Sequence, residues 1–161
     1  MPEFGAKSKK NLSEAHPKLQ KIFNKVIQHF DCSVIDGHRT KPEQDNAYHS
    51  GKSKVQWPKS KHNSIPSMAV DVVPYPVDWK DQRRFDLFAG FVAGIAASMG
   101  IKIRWGGDWN SNMFTNDQNF HDLPHFELHP DELKTTTKPK KDVLPDGPSD
   151  DEIDDKLGSV E

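Results

Sequence analysis

Apolar and polar residues recur along this chain with two periods, and the points where one period gives way to the other mark its elements. Leu19, Ile22, Phe23, Val26, Ile27 and Phe30 return every three or four residues, the spacing of one helix face, and Pro17 is tolerated in an opening helical turn. The first organised element is therefore expected to begin near Pro17. Cys32 to Asp36 reads as a short strand stopped by Gly37. Thr40-Lys41-Pro42-Glu43 has the form of a capping box opening a helix that closes at Gly51. Arg39 then sits at a strand-to-helix junction, where a side chain can point into a cleft.

Lys52 to Ser67, rich in Lys, Ser, Asn and Pro, reads as a loop, and Ala69 to Val73 as a partly buried strand ended by Pro74 and interrupted by one acid, Asp71. Asp78 is expected to cap a long helix carrying Phe85, Phe88, Val92, Ile95 and Met99 on one face, with Gly100 as its stop. Gly90 and Gly94 inside it weaken helix propensity by about 1 kcal/mol each, and close approach to the sheet is the expected reason. Ile101, Ile103 and Trp105 alternate with Lys102 and Arg104 as in a strand, Gly106-Gly107 turns the chain, and Asn110 to Asn119 is loop-like. In a last strand Phe126 and Leu128 face one side while His125 and Glu127 face the other.

From His129 onward aromatic residues cease, large apolar ones are few, and acids cluster at Asp150 to Asp155. Such a segment buries too little surface to order itself. The chain thus divides into a domain at 1–129 and a flexible acidic tail at 130–161, which leaves the domain mildly basic.

Composition narrows the function. A formal net charge of -2 argues against a nucleic-acid binder held by a strong field. No apolar run near Met1 resembles a signal peptide or a membrane span, so synthesis in a reducing cytosol is the default. The single cysteine, Cys32, reads as a small buried apolar residue in preference to a reactive thiol.

The chemistry gathers in two segments, Ser60 to Asp71 and His121 to Leu128. His62, Asp71 and His125 are a donor set suited to a catalytic zinc ion, because three protein ligands leave one position open. Asp122, beside that position, would take a proton from water. Taken singly, His62 reads as solvated surface, His125 as a satisfied structural histidine, Asp122 as a turn former and Arg39 as a salt-bridge partner. Together and in this order they read as a hydrolytic centre. Glu127 either orients His125 or is an ordinary acid, and Asp108 and Trp109 either line the cleft or, for Trp109, pack in the core. His16, His29, His38, His49, His121 and His129 lack comparable spacing and read as surface or locally bonded residues.

The order strand, Gly-x-Arg-Thr, capped helix, Ser-Lys-His, Ala-Val-Asp, long helix, Trp-Gly-Gly-Asp-Trp and Asp-x-x-His-Phe-Glu-Leu resembles the zinc peptidases of bacteriophage endolysins that cut the L-alanyl-D-glutamate bond of peptidoglycan. D-Ala-D-Ala dipeptidases and carboxypeptidases and the hedgehog signalling domain are their relatives. The resemblance runs from about Phe4 to Leu128 and implies an α+β fold, a small antiparallel sheet packed against helices. It also implies zinc on His62, Asp71 and His125, Asp122 as base, and Arg39 holding substrate and polarising its carbonyl. Ser60, Asp108 and Trp109 are expected to bind the peptidoglycan stem peptide.

Eight residues separate His62 from Asp71, two more than the family's common spacing, and a surface loop absorbs such an insertion at little entropic cost. The implied setting is a monomeric phage lysin made in the host cytoplasm, without stable membrane insertion, and released by a separate holin. The competing readings are a D-Ala-D-Ala-type peptidase on the same site and a non-catalytic wall-binding or virion protein.

Overall fold

The computed structural model describes residues 1–133. Its order is α1 (Ala6–Ser13), α2 (Pro17–Val26), β1 (Cys32–Asp36), α3 (Lys41–His49), a 3-10 turn (Lys61–Asn63), β2 (Ala69–Pro74), α4 (Gln82–Ser98), β3 (Ile103–Gly106), β4 (Asp122–Leu128) and a final 3-10 turn (Pro130–Leu133). The four strands form one antiparallel sheet in the order β1-β2-β4-β3, so the expected α+β fold is present.

Strand alternation gives the sheet two faces with different chemistry. Val70 lies opposite Phe126, and both turn to the helices. Phe126, fully buried, meets Phe23 of α2 edge-on at 5.4 Å and Phe88 of α4 at 6.0 Å. Leu19, Ile22, Val26 and Val92 complete this layer, and truncating a ring such as Phe126 to alanine in it would cost roughly 3–5 kcal/mol. On the opposite face Asp71 lies opposite His125, and Arg104 opposite Glu127. Hydrophobic packing of one face therefore sets the register that brings the polar groups of the other together.

Three expectations need correction. A helix, α1, precedes the one expected at Pro17; only Ser8 and Leu12 of it are buried, too few positions to make a period. It covers the free edge of β1, where Ser8 Oγ accepts from the Val34 amide at 3.0 Å and Asn11 Nδ2 donates to the Val34 carbonyl at 2.9 Å. The cap of α4 is Asp81, not Asp78: Asp81 accepts from the Arg84 amide at 3.2 Å, while Asp78 accepts from Lys80 in the turn before. Gly90 and Gly94 make no close approach to the sheet; both are exposed, with open space where a side chain would stand.

Close approach instead governs Gly37 and Gly106. A Cβ at Gly106 would overlap the Asp122 carbonyl across the irregular end of the β3-β4 pair. Pro130–Leu133, the first residues of the expected tail, form a turn in which Glu132 accepts from Lys18 at 2.6 Å and from the Lys102 amide at 2.7 Å. Residues 134–161, the rest of that tail, lie outside the described residues. Cys32 is buried, and burial followed by the nearby Asp31 charge pushes its thiol up to about 12, in keeping with the inert reading.

Candidate active site

His62 comes from a turn that is fastened on both sides. Ser60 caps it by accepting from the His62 amide at 3.2 Å, the His62 carbonyl accepts from the Arg39 amide at 2.8 Å, and the Lys61 carbonyl accepts from Met68 at 3.0 Å. The ring is buried, and its Nδ1 lies 2.7 Å from the Gly37 carbonyl. A carbonyl only accepts, so Nδ1 carries the proton and Nε2 presents a lone pair. That lone pair meets Asp71 Oδ1 at 3.2 Å and His125 Nδ1 at 3.3 Å.

His125 is held by the same logic in mirror form. Its Nε2 donates to Glu127 Oε1 at 2.9 Å, which leaves Nδ1 to face Asp71 Oδ1 at 3.4 Å. Glu127 is buried against His125 and is not an exposed acid. Asp71 divides its oxygens: Oδ2 accepts from Arg39 at 3.1 Å, and Oδ1 is turned to the imidazoles. Three electron-pair donors thus converge with edges of 3.2, 3.3 and 3.4 Å. A tetrahedral ion with bonds of about 2.0–2.1 Å requires ligand-to-ligand edges of about 3.3–3.4 Å. His62, Asp71 and His125 therefore fit a divalent metal of zinc's size, and the two residues added between His62 and Asp71 do not disturb them. Ile65, in the loop between His62 and Asp71, is 84% exposed.

Electrostatics favour a cation here. Burial alone would lower the His125 pKa, yet hydrogen bonds and charges from Asp71 and Glu127 raise it to about 9. Burial alone would raise the Asp71 carboxyl, but His62 and His125 outweigh it and hold it well below the usual carboxylate range. Asp122 responds differently. Its carboxylate stands 4.0 Å from His125 Nδ1 and remains partly exposed, and burial followed by repulsion from Asp71 raises its pKa.

Arg39 is buried, with Nε donating to Asp36 Oδ2 at 2.6 Å and its terminal nitrogens to Gln44 Oε1 at 3.2 Å and Asp71 Oδ2 at 3.1 Å. It fixes Asp71, and each terminal nitrogen keeps a further N–H on a residue that lines the cleft. The capping box works as expected, since Thr40 donates through its amide and hydroxyl to Glu43 and starts α3, which delivers Gln44.

The sequence reading passed over Asp36, Gly37, Gln44 and Phe120. Gln44 is wholly buried and also accepts from Asn63 at 3.2 Å; a glutamine on the buried face of a short polar helix was the available signal.

A cleft of about 320 Å³ opens over this group, lined by Ser60, Trp109, Phe120 and Asp122 among others. Trp109 is cleft wall and not core: it stacks on Phe120 at 6.2 Å, lies 5.4 Å from the His125 ring and donates to the Phe120 carbonyl at 2.8 Å. Asp108 does not join this cleft. Its carboxylate accepts from the Asn112 amide at 3.2 Å and the Met113 amide at 2.9 Å, organising the loop behind the wall.

The sequence profile of a family described as phage L-alanyl-D-glutamate peptidase matches residues 2–129. An L-alanyl-D-glutamate peptidase of Escherichia phage T5 is 31% identical over 135 residues, spanning 78% of this chain and 97% of that protein. The crystal structure of the Serratia marcescens L-Ala D-Glu endopeptidase ChiX superposes with a TM-score of 0.64 at 28% identity, covering 81% of this chain and 93% of that one.

Proposed function

The chain belongs to the phage L-alanyl-D-glutamate peptidase family, and from that premise we propose that it is a zinc endopeptidase that hydrolyses the L-alanyl-D-glutamate bond of peptidoglycan stem peptides. One observation carries the metal: two imidazoles of fixed tautomer and one carboxylate oxygen converge at tetrahedral spacing, beside a fourth group, Asp122, that is raised in pKa and open to the cleft. His62, Asp71 and His125 would hold the zinc.

When bound, zinc supplies Lewis acidity, which acidifies water and polarises a carbonyl. Asp122 accepts the proton of the attacking water and passes it to the departing amine, and its raised pKa makes it the stronger base while it stays ionised. Arg39 holds Asp71 and offers its remaining N–H groups to the carbonyl oxygen as charge grows there. Glu127 keeps the His125 ring in its tautomer. Trp109 and Phe120 shield one side of the reacting bond, and Ser60 holds the turn that presents His62.

The cell wall is the substrate. Synthesis in the host cytoplasm, action as a monomer and release by a separate holin belong to the same reading; among the described residues no helix is long and apolar enough to cross a membrane.

Mass spectrometry of purified peptidoglycan fragments, with and without a zinc chelator, tests the reading. The expected product is a peptide beginning with D-glutamate, with L-alanine left on the sugar, and the chelator stops its release. Free D-alanine or its dipeptide would move the specificity to the D-Ala-D-Ala type, and no product from zinc-loaded protein would favour a wall-binding role.

A further inference from the structure

The cleft has two chemically different halves. One is bordered by Lys54, Lys59, Lys61 and Arg104, and the other by Trp79, Phe85, Leu123 and Pro124, with Asp71 and His121 also on its wall and no lysine or arginine of its own. Arg39, Lys52 and Asp122 line both and mark the junction. Among the described residues, Lys54, Lys59 and Lys61 form no ion pair. Glu127 is, among the described residues, the only acid lining the cationic half alone, and its Oε1 already accepts from His125.

Arg104 has donors to spare. The β3-β4 register sets it opposite Glu127, yet the nearest guanidinium nitrogen is 3.9 Å from Glu127 Oε2, beyond hydrogen-bond reach. Its Nε is buried without a hydrogen-bond partner among the described residues. A guanidinium with unspent donors, half-buried on a strand, is a rigid fork of the shape that a carboxylate fills.

A glutamate residue acylated on its amine keeps two carboxyl groups, and a linear chain uses at most one of them. We propose that Arg104 reads the free carboxylate of the substrate glutamate, on the amine side of the scissile bond, while the half beside Trp79 and Pro124, which has no cation of its own, receives the uncharged alanyl side. The lysines around it add attraction at longer range. The inference rests on the hydrolytic reading above and adds to it a direction for the substrate and a requirement for an ionised side group.

The test uses two synthetic peptides around an L-alanyl-D-glutamyl bond that differ only in this group, a free carboxylate in one and its primary amide in the other. The zinc-loaded full chain should prefer the carboxylate by about tenfold or more in kcat/KM, the range of one charge-assisted bond. In Arg104→Gln the ratio between the two peptides should fall to near one, and Arg104→Lys, which keeps the charge but not the fork, should restore part of it. Equal rates in the parent protein overturn the proposal. So does an unchanged ratio in Arg104→Gln with both rates reduced, the result a purely structural pairing with Glu127 would give. Both peptides are also titrated by calorimetry into Asp122→Asn, with and without Arg104→Gln. Carboxylate preference in binding, with no hydrolysis of either peptide by the parent protein, would sink the hydrolytic reading and keep the role of Arg104; hydrolysis without preference would do the reverse.

Discussion

The Nδ1–H of His62 donates to the carbonyl oxygen of Gly37 at 2.7 Å, so the exit of β1 decides which imidazole nitrogen meets Asp71. Gly37 occupies that point because a Cβ there would overlap the backbone carbonyl of Asn11 at the end of α1. Packing against α1 thereby constrains the carbonyl that sets the His62 tautomer.

Gly37→Ala tests this relay. Overpacking against α1 should destabilise the fold by roughly 1–3 kcal/mol. The displaced carbonyl should also loosen His62, so zinc affinity should fall under conditions where the variant is still folded. Urea denaturation and competition with a chromogenic chelator measure the two effects separately. A destabilised variant with the parent's zinc affinity would break the link between α1 and the ligand.

Asp122 and His125 are only three residues apart, yet their replacements should fail in different ways. His125→Ala removes a converging donor and should leave the dialysed protein without stoichiometric zinc. Asp122→Asn removes only the proton acceptor, so zinc should remain while kcat falls by about 10²–10⁴-fold. Metal analysis beside peptide hydrolysis reads both. Equal zinc loss in the two variants would make Asp122 a ligand and undo the division of roles.

Glu127→Gln keeps an acceptor for His125 Nε2 but removes its charge. An outer partner of this kind typically changes metal affinity by about 10–100-fold. Zinc affinity should therefore drop by that order while the circular dichroism spectrum holds. Undiminished affinity would reduce Glu127 to a packing role on the sheet.

How much of this could be read from the chain depends on the range of the interaction. β1, the capping box at Thr40, the strand around Asp71 and the separation of His125 from Phe126 were legible because each follows from a local period or a local motif. The placing of α1 was not, because its two buried residues make no stripe and its task is to cover a strand edge. The cap of α4 fell to Asp81 because Asp78 closes the turn before it, two acids that a sequence ranks alike. Gly90 and Gly94 misled since glycine in a helix marks either close packing or an open surface, and only tertiary position separates them. The triad was legible by motif order, but the bond that completes His62 comes from a backbone carbonyl, which no side-chain pattern can show.

The capping box makes the start of α3 sensitive to pH. The Glu43 carboxylate accepts from the Thr40 hydroxyl at 2.7 Å and its amide at 3.2 Å, and these two bonds, in that order of weight, hold its pKa below the ordinary 4.5. A carboxyl depressed in the folded state stabilises the fold fully above its unfolded value and ceases to do so as the pH falls through its folded one. Glu43→Gln should therefore lower stability by roughly 0.5–1 kcal/mol at pH 7. The gap should close on acidification below about 4.5 as the parent's own Glu43 takes up its proton. Urea midpoints of both proteins across this range, each with chelator present so that acid release of zinc does not enter the difference, measure the gap. A gap that stays constant to the lowest pH would show that the length of the side chain, and not its charge, holds the start of α3, and with it the buried Gln44 that braces Arg39.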